Sequence, residues 1–127
     1  MKKILILTVL LSTMLLGSIG ASANTGWTQK EDGNLTYTAS NGVTAKDGIA
    51  QIDGDLYYFD SLGNRVSGWV NWGDKWLYFN NSGVMVTGWA NLEGNWYYFT
   101  NSGIMTTGEC NLDGTIYNFG TDGKLIW

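Results

Sequence analysis

The sequence predicts an all-β fold, a β-solenoid of about five stacked β-hairpin repeats of roughly 20 residues each. One phenylalanine recurs every 20 residues, in step with two series of glycines. Each repeat also carries a two-residue turn signal between two short segments rich in apolar residues. Units this short bury an apolar face only against a neighbouring copy, so they are expected to stack. The phenylalanines are Phe59, Phe79, Phe99 and Phe119, and the glycine series begin at Gly48 and Gly63.

The first 23 residues form a separate segment. Two lysines near the N-terminus precede an apolar run over residues 4–16, and small residues ending at Ala23 offer a cleavage site. This order is typical of a secretory signal peptide. The apolar run is shorter than the roughly 20 residues that a membrane-spanning helix needs, so no membrane span is predicted. We therefore expect residues 1–23 to be a signal peptide, residues 24–127 to form one repeat domain, and the protein to be secreted.

The repeats divide this domain at the glycine that ends each copy. The predicted repeats are 27–48, 49–68, 69–88, 89–108 and 109–127. Turn chemistry supports one hairpin in each: Asp-Gly or Glu-Gly pairs suit a type I′ turn, whereas Gly73-Asp74 suits type II′. In the fourth repeat, a two-residue turn at Glu93-Gly94 places Trp89 opposite Tyr98.

Alternation of side chains along these strands sorts each hairpin into two faces. One face of the fourth hairpin is the expected core, and it carries Ala90, Leu92, Tyr97 and Phe99. The other face carries Trp89, Asn91, Trp96 and Tyr98. Aromatic side chains that face outward usually indicate recognition, although the same rings also suit packing between successive hairpins.

The composition excludes several classes of function. The chain of 127 residues has a net charge of −4, so nucleic acid is not an expected partner. It contains no histidine, which excludes Ser-His-Asp and Cys-His catalysis and every histidine metal site. Its carboxylates fall at turns and loops, where Asp and Glu favour turn formation. We therefore predict no enzymatic activity, no cofactor and no metal.

Cys110 is the single cysteine of the chain, so no disulfide within the chain can stabilise the domain. Its position on a strand with an apolar pattern predicts a buried thiol. Packing is therefore expected to hold the domain together.

A cluster of aromatic rings suits one class of ligand above others. A quaternary ammonium neither donates nor accepts hydrogen bonds, and ring faces attract it through cation–π interaction and contacts with its methyl groups. Each ring contributes roughly 0.5 to 2 kcal/mol, so three rings support affinities of about millimolar strength. Several such sites would be needed to hold a repetitive polymer.

The segment Gly88 to Gly108, GWANLEGNWYYFTNSGIMTTG, resembles the cell-wall-binding repeat of the choline-binding proteins, and the similarity extends over residues 27–127. The resemblance implies a left-handed β-solenoid and a non-catalytic module that binds choline or phosphocholine of teichoic and lipoteichoic acids. It implies aromatic cages between consecutive hairpins and a location at the cell wall or cell surface. Whether the chain forms a homodimer or acts with a partner lytic enzyme stays open.

Carried over by residue, the resemblance implies one complete choline site formed by Trp69, Trp76 and Tyr98, with Met85 alongside. It implies a second site formed by Trp89, Trp96 and Met105, in which Asn118 takes the place of the closing aromatic ring.

The alternative function is binding of glucans or oligosaccharides. The hairpin pattern also resembles the repeats of bacterial glucosyltransferases and clostridial toxins, in which rings stack on sugars. Amides recur at a 20-residue interval on the face of the tryptophans, at Gln51, Asn71, Asn91 and Asn111. A sugar would use these amides, but they also suit hydrogen bonds to nearby backbone groups. Tryptophan at both 76 and 96 favours choline.

Overall fold

The structure is a computed structural model that describes residues 25–127, and the predicted signal peptide lies outside the described residues. Residues 25–127 form strands and turns without any helix. None of them therefore belongs to a helix that could cross a membrane. They divide into two compact units, one ending at Ser67 and one comprising Gly68–Trp127. The predicted all-β class is confirmed.

Unit 1 contains two hairpins. The first pairs β1 with β2, and the second pairs β3 with β4 and extends to a short third strand, β5. All neighbouring strands are antiparallel. The strands are β1 (Gly26–Gln29), β2 (Leu35–Thr38), β3 (Gly48–Ile52), β4 (Asp55–Phe59) and β5 (Arg65–Val66).

Unit 2 contains three hairpins. They pair β6 with β7, β8 with β9, and β10 with β11, and β12 joins the last of them as a third strand. Each hairpin begins at the glycine that ends the preceding predicted repeat. The strands are β6 (Gly68–Trp72), β7 (Lys75–Phe79), β8 (Gly88–Leu92), β9 (Asn95–Phe99), β10 (Gly108–Leu112), β11 (Thr115–Phe119) and β12 (Leu125–Ile126).

The hairpin turns have the geometry that their sequences predict. Both central residues of a type I′ turn need a positive φ, and Glu93 and Gly94 have φ of 52° and 83°. In the β6–β7 turn only the first central residue, Gly73, has a positive φ, as type II′ requires. These two-residue turns determine the pairing, so Trp89 lies opposite Tyr98, as predicted.

The predicted core face is confirmed. The side chains of Phe59, Phe79 and Phe99 are 0% exposed. Burying one such ring stabilises the fold by about 1.5 to 3 kcal/mol. The face is less completely buried at other positions, because Ala90, Leu92 and the thiol of Cys110, all expected to be buried, are half-buried.

A tight loop follows each buried phenylalanine and brings the chain back beside it. The residue six positions after the phenylalanine then pairs with it across a short antiparallel bridge or strand. These pairs are Phe59 with Arg65, Phe79 with Met85, Phe99 with Met105, and Phe119 with Leu125. One structurally equivalent position, called here the return position, is thus occupied by Arg65, Met85, Met105 and Leu125.

The side chain at the start of the loop holds it in place. Oδ1 of Asp60 accepts hydrogen bonds from the backbone N–H groups of Leu62 and Asn64, at 2.9 and 2.8 Å. Oδ1 of Asn80 accepts the equivalent bonds from Ser82 and Val84. Loop carboxylates and amides therefore serve turn formation, as the sequence predicts.

Hydrogen bonding also changes the acidity of Asp60. Burial by itself raises the pKa of this carboxyl, but the bonds from the backbone and side chain of Asn64 and from Leu62 outweigh burial and lower the pKa below its ordinary value. The side chain is therefore held as a carboxylate that accepts charge-assisted bonds.

The substitution Asp60→Asn tests this loop. It keeps an Oδ1 acceptor, as Asn80 does, but removes the charge. A lowered pKa in the folded state stabilises the fold above the ordinary aspartate pKa of about 4, and this contribution disappears as pH falls through the folded-state pKa. Asparagine also replaces Oδ2, which accepts a 3.0 Å bond from Nδ2 of Asn64, with a donor. We expect wild type to be the more stable at neutral pH, with the difference becoming smaller in acid. Denaturant midpoints of the two proteins, measured from neutral pH to acid, check this expectation. A difference in stability that does not change with pH would refute it.

Candidate functional site

A tryptophan near the start of each of the first two hairpins of unit 2 lies between that hairpin and the next. Trp69 on β6 contacts Tyr78 of its own hairpin, with ring centroids 5.1 Å apart. It also contacts Tyr97 and Phe99 on β9, at 5.1 and 5.8 Å. Its ring thus packs against the core face of the following hairpin while 39% of the residue stays exposed.

A second indole stands at the edge of this cluster. The ring of Trp76 on β7 is 6.4 Å from that of Trp69, and the two planes meet at 84°. Trp76 is 42% exposed. Two half-exposed indoles at nearly a right angle form a corner that presents aromatic surface to solvent.

Met105 reaches this corner from the return position after β9. Its backbone N–H donates a 2.8 Å hydrogen bond to the carbonyl oxygen of Trp76, which ties the loop to β7. Its side chain lies against Gly123, where a Cβ would overlap the sulfur atom. The glycine therefore leaves the room that the methionine occupies. Trp69, Trp76, Tyr97 and Met105 together are called here the Trp69 cage.

The four residues of the Trp69 cage line a cavity of about 440 Å³, together with Thr121, Asp122 and Lys124. Nζ of Lys124 lies 3.6 Å from Oδ2 of Asp122. Oδ1 of Asp122 accepts a hydrogen bond from the backbone N–H of Lys124, which holds this loop as the side chain of Asn80 holds its own. A Cβ at Gly120 would lie 2.6 Å from that Oδ1, so the glycine makes room for the carboxylate.

Two residues that the resemblance placed in this site lie elsewhere. Tyr98 packs on Trp89 of its own hairpin, at 5.3 Å, and the tyrosine that contacts Trp69 is Tyr97. Met85 lies against Gly103, one repeat before the methionine that lines the cavity. Tyr98 is absent because Trp69 meets the core face of the following hairpin, and Tyr98 lies on the other face. Met85 is absent because the loop that reaches β7 is the one after β9, which carries Met105.

A second cluster repeats this arrangement one hairpin later. Trp89 and Trp96 lie 6.3 Å apart with planes at 80°. The ring from the following hairpin is Tyr117, at 4.9 Å from Trp89. Asn118, predicted at this place, instead pairs with Glu109 across its own hairpin.

The return position that corresponds to this second cluster belongs to Leu125. Its strand, β12, lies beside β9, the strand that carries Trp96. Met105, which the resemblance placed here, lines the Trp69 cavity instead. Trp89, Trp96, Tyr117 and Leu125 are called here the Trp89 cluster.

Unit 1 contains a third copy of the ring arrangement. Trp27 contacts Tyr37 of its own hairpin at 5.2 Å and Tyr57 of the next hairpin at 5.0 Å. At the position of the second indole the chain has Leu35, and at the return position it has Arg65. The guanidinium carbon of Arg65 lies over the ring of Trp27, 5.9 Å from its centroid.

Three of the four recurring amides form hydrogen bonds with the hairpin turns. Oδ1 of Asn91 accepts a hydrogen bond from the backbone N–H of Gly94, and Oδ1 of Asn111 accepts one from Gly114. Gln51 donates to the carbonyl oxygen of Gly54 at 3.5 Å. These hydrogen bonds to backbone groups of the turns give a structural reason for amides to recur every 20 residues, so no sugar ligand is needed to explain them.

Comparison with known families identifies these repeats. A family model described as the choline-binding repeat matches residues 66–91 and 86–126. The chain belongs to the choline-binding repeat family. Both matches fall on the part of the chain that holds the Trp69 cage and the Trp89 cluster. No curated protein matches the chain.

Solved structures of choline-binding proteins resemble the chain. Choline binding protein F from Streptococcus pneumoniae is 36% identical, over 80% of this chain and 34% of its own, with a TM-score of 0.76. CbpJ from Streptococcus pneumoniae TIGR4 is 35% identical, over 81% of this chain and 35% of its own, with a TM-score of 0.76. The cell wall endolysin from phage Cp-1 is 27% identical, over 88% of this chain and 40% of its own, with a TM-score of 0.61. The chain thus spans well under half the length of each.

Sequence reasoning missed three features of these choline-binding repeats. Tyr97 was assigned to the core alone, and no local pattern distinguishes a core ring that also borders a cavity. Lys124 and Asp122 come to the Trp69 cage from two repeats further along the chain. A signal was available for Arg65, because it shares its 20-residue register with Met85 and Met105.

Gly123→Ala tests the placement of Met105, with Gly114→Ala as a matched control. Both glycines have a left-handed φ, 80° and 86°, so alanine costs the backbone about 1 to 2 kcal/mol at each. A Cβ added at Gly123 would overlap the side chain of Met105, whereas nothing lies within 4 Å of a Cβ at Gly114. We therefore expect the larger loss of unfolding free energy from Gly123→Ala.

A double-mutant cycle separates the two causes. In a Met105→Ala background the extra cost at Gly123 is expected to disappear, leaving the two glycine substitutions equal. Chemical denaturation of the six proteins measures this. An extra cost that persists without the methionine would show that Met105 does not occupy the space beside Gly123.

Proposed function

We propose that this chain is a non-catalytic cell-wall-binding module and that the Trp69 cage binds choline. The observation that carries the proposal is the corner formed by two half-exposed indoles at 84°, completed by Tyr97 and Met105 around one cavity. Ring faces on several sides suit the trimethylammonium group, which offers methyl contacts and a charge but no hydrogen-bonding atom. A solved structure of the related phage Cp-1 endolysin is complexed with choline, which supports the same ligand here.

The Trp89 cluster is proposed as a second choline site. Its indole corner and the ring from the following hairpin match those of the Trp69 cage to within a few tenths of an ångström and about ten degrees. A leucine replaces the methionine at the return position, so this site keeps the aromatic surface and loses a polarisable sulfur. Two sites of roughly millimolar strength favour a ligand that repeats along a polymer, such as a teichoic acid, because binding at the second site is then intramolecular.

Two loop carboxyl groups of the chain are unsuited to general acid catalysis. The backbone N–H of Asn34 lowers the pKa of Asp32, and the hydrogen bonds described above lower that of Asp60. A general acid in glycoside hydrolysis needs the opposite, a raised pKa in an apolar site. Attachment to the outer surface of a bacterium through choline is the role that fits this chain.

Phosphocholine is the proposed form of the ligand. Its phosphate is separated from the quaternary nitrogen by only two carbon atoms, so it must lie at the rim of any cavity that holds the nitrogen. Lys124 provides a positive charge in the lining of that cavity. We propose that its ammonium group exchanges its contact with Asp122 for one with the phosphate.

The first prediction for this function concerns the exposed indole. Trp76→Leu introduces the residue that unit 1 has at the same position, Leu35, and removes one ring face from the Trp69 cage. We expect choline affinity at this site to fall up to about tenfold, which is the contribution of one partly desolvated ring. Calorimetric titration of residues 24–127 measures affinity and stoichiometry, with glucose and a glucan oligomer as parallel ligands.

Ile116→Ala is the matched control for this titration. Ile116 occupies the position of Trp76 in the last hairpin, is 58% exposed and has no partner indole at position 109. We expect it to leave choline binding unchanged. If the wild-type protein gives a binding signal with the glucan oligomer and none with choline, the function is polysaccharide binding and not choline binding.

The second prediction separates phosphocholine from choline. Lys124→Gln is expected to weaken phosphocholine binding about threefold, the scale of an exposed charge pair, and to leave choline binding unchanged. Lys75→Gln is the control, since Lys75 is also beside an aspartate, at 4.0 Å from Asp74, but lies outside the cavity lining. Titrations of both ligands at low salt measure this. Equal losses for the two ligands, or none for either, would contradict a role in phosphate binding.

A further inference from the structure

Trp27, Tyr37, Tyr57 and Arg65, called here the Trp27 cluster of unit 1, have the ring geometry of the Trp69 cage. The distances from Trp27 to its cross-strand tyrosine, to the next hairpin's tyrosine and to the buried phenylalanine are 5.2, 5.0 and 5.8 Å. The corresponding distances from Trp69 are 5.1, 5.1 and 5.8 Å. Trp27 is 38% exposed and Trp69 is 39% exposed. The two clusters therefore present their indoles in the same way, each within its own unit.

Two substitutions distinguish the clusters. The second indole, Trp76 in unit 2, corresponds to Leu35 in unit 1. The return position, Met105 in unit 2, corresponds to Arg65, and the two residues pair with equivalent phenylalanines. The methionine lines a cavity, whereas the arginine places its guanidinium over the face of Trp27.

This guanidinium makes the contact that a ligand cation would make. A cation within about 6 Å of a ring centroid is attracted by the negative face of the ring, and Arg65 satisfies that distance at 5.9 Å. Its charge also acts on Tyr57. Burial raises the pKa of this phenol, and the charge of Arg65 opposes that effect. The cation therefore lies near both the indole of Trp27 and the tyrosine from the second hairpin.

We infer that the Trp27 cluster is a cation site occupied by the chain's own Arg65 and thereby closed to choline. The inference rests on the proposed function, since it takes the Trp69 cage to be the open form of the same site. A guanidinium on the same chain has a high effective concentration over the ring, so a free ligand of millimolar affinity does not displace it. Arg65 thus restricts ligand binding to unit 2 and stabilises unit 1 without a ligand.

The wild-type protein provides the first test. Tetramethylammonium is the probe, because it carries the quaternary charge and nothing else. Indole N–H signals of the uniformly ¹⁵N-labelled protein report each tryptophan, and single Trp→Phe variants assign them. We expect Trp69 and Trp76 to shift in a saturable way while Trp27 does not respond. A Trp27 signal that titrates with the midpoint of Trp69 would overturn the inference.

Opening the site is the second test. Leu35→Trp supplies the missing indole, and Arg65→Met supplies the residue found at the return position in unit 2. We expect the double variant to gain one binding site and a Trp27 signal that titrates, whereas Leu35→Trp alone gains neither. A folded double variant with a silent Trp27 overturns the inference, and so does a gain in Leu35→Trp alone.

The third test makes the reciprocal change in the Trp69 cage of unit 2. Its outcome does not depend on whether unit 1 tolerates substitution. Met105→Arg places an arginine at the return position of the Trp69 cage. We expect the affinity of that site to fall on the order of tenfold or more, because the guanidinium competes for the indole face. Met105→Leu, which copies Leu125, is the comparison variant: it removes the sulfur without adding a charge, so its loss of affinity should be clearly smaller than that of Met105→Arg. Equal binding by the two variants would contradict the role of Arg65.

The same experiments distinguish failure of the inference from failure of the proposed function. If no tryptophan of wild-type unit 2 responds to tetramethylammonium or choline, the Trp69 cage is not a choline site. Two other outcomes would leave the Trp69 cage as a choline site but show that Arg65 does not close the Trp27 cluster. In the first, the signals of both unit 2 and Trp27 shift with the ligand. In the second, Met105→Arg binds the ligand as well as Met105→Leu does.

Discussion

The packing of one tryptophan between two hairpins is the interaction on which the rest of each unit depends. A hairpin of this length has too little apolar surface to be stable alone, and its tryptophan becomes further buried by packing against the next hairpin. In unit 2, Trp69 lies about 5 Å from both a tyrosine of its own hairpin and one of the next. Because the indole is too large to be covered completely, part of its face stays exposed. The same contact therefore builds the fold and leaves aromatic surface for a ligand.

The return position then determines what each cluster becomes. The loop after Phe99 brings one side chain back beside the preceding hairpin, as the hydrogen bond from Met105 to Trp76 shows. A thioether at this position lies against Gly123 and leaves a cavity beside the rings, which is the proposed place of the ligand cation. A guanidinium there, as at Arg65, supplies the cation itself. Single residues on a constant backbone thus give the repeats different properties.

The exposure of the indoles is consistent with weak binding at each site. Trp69 and Trp76 are each about two-fifths exposed, so a bound cation keeps part of its hydration and each ring contributes modestly. Affinity for a surface then depends on several sites that engage one polymer. Such binding is reversible at each contact and durable for the whole chain, which suits attachment to a repetitive cell-wall polymer.

Local rules were sufficient for the hairpins: the Glu93-Gly94 turn and the alternation of faces determined that Trp89 pairs with Tyr98 and that Phe99 is buried. The sequence also determined the 20-residue period and the two indoles of each site, because these depend on residues within one hairpin. Only the tertiary structure decided that Tyr97 rather than Tyr98 meets Trp69, and that Met105 rather than Met85 lines its cavity. A period states how often a contact recurs but not which repeat supplies each partner. That offset follows from how the faces of successive hairpins pack, a long-range contact that no local pattern encodes.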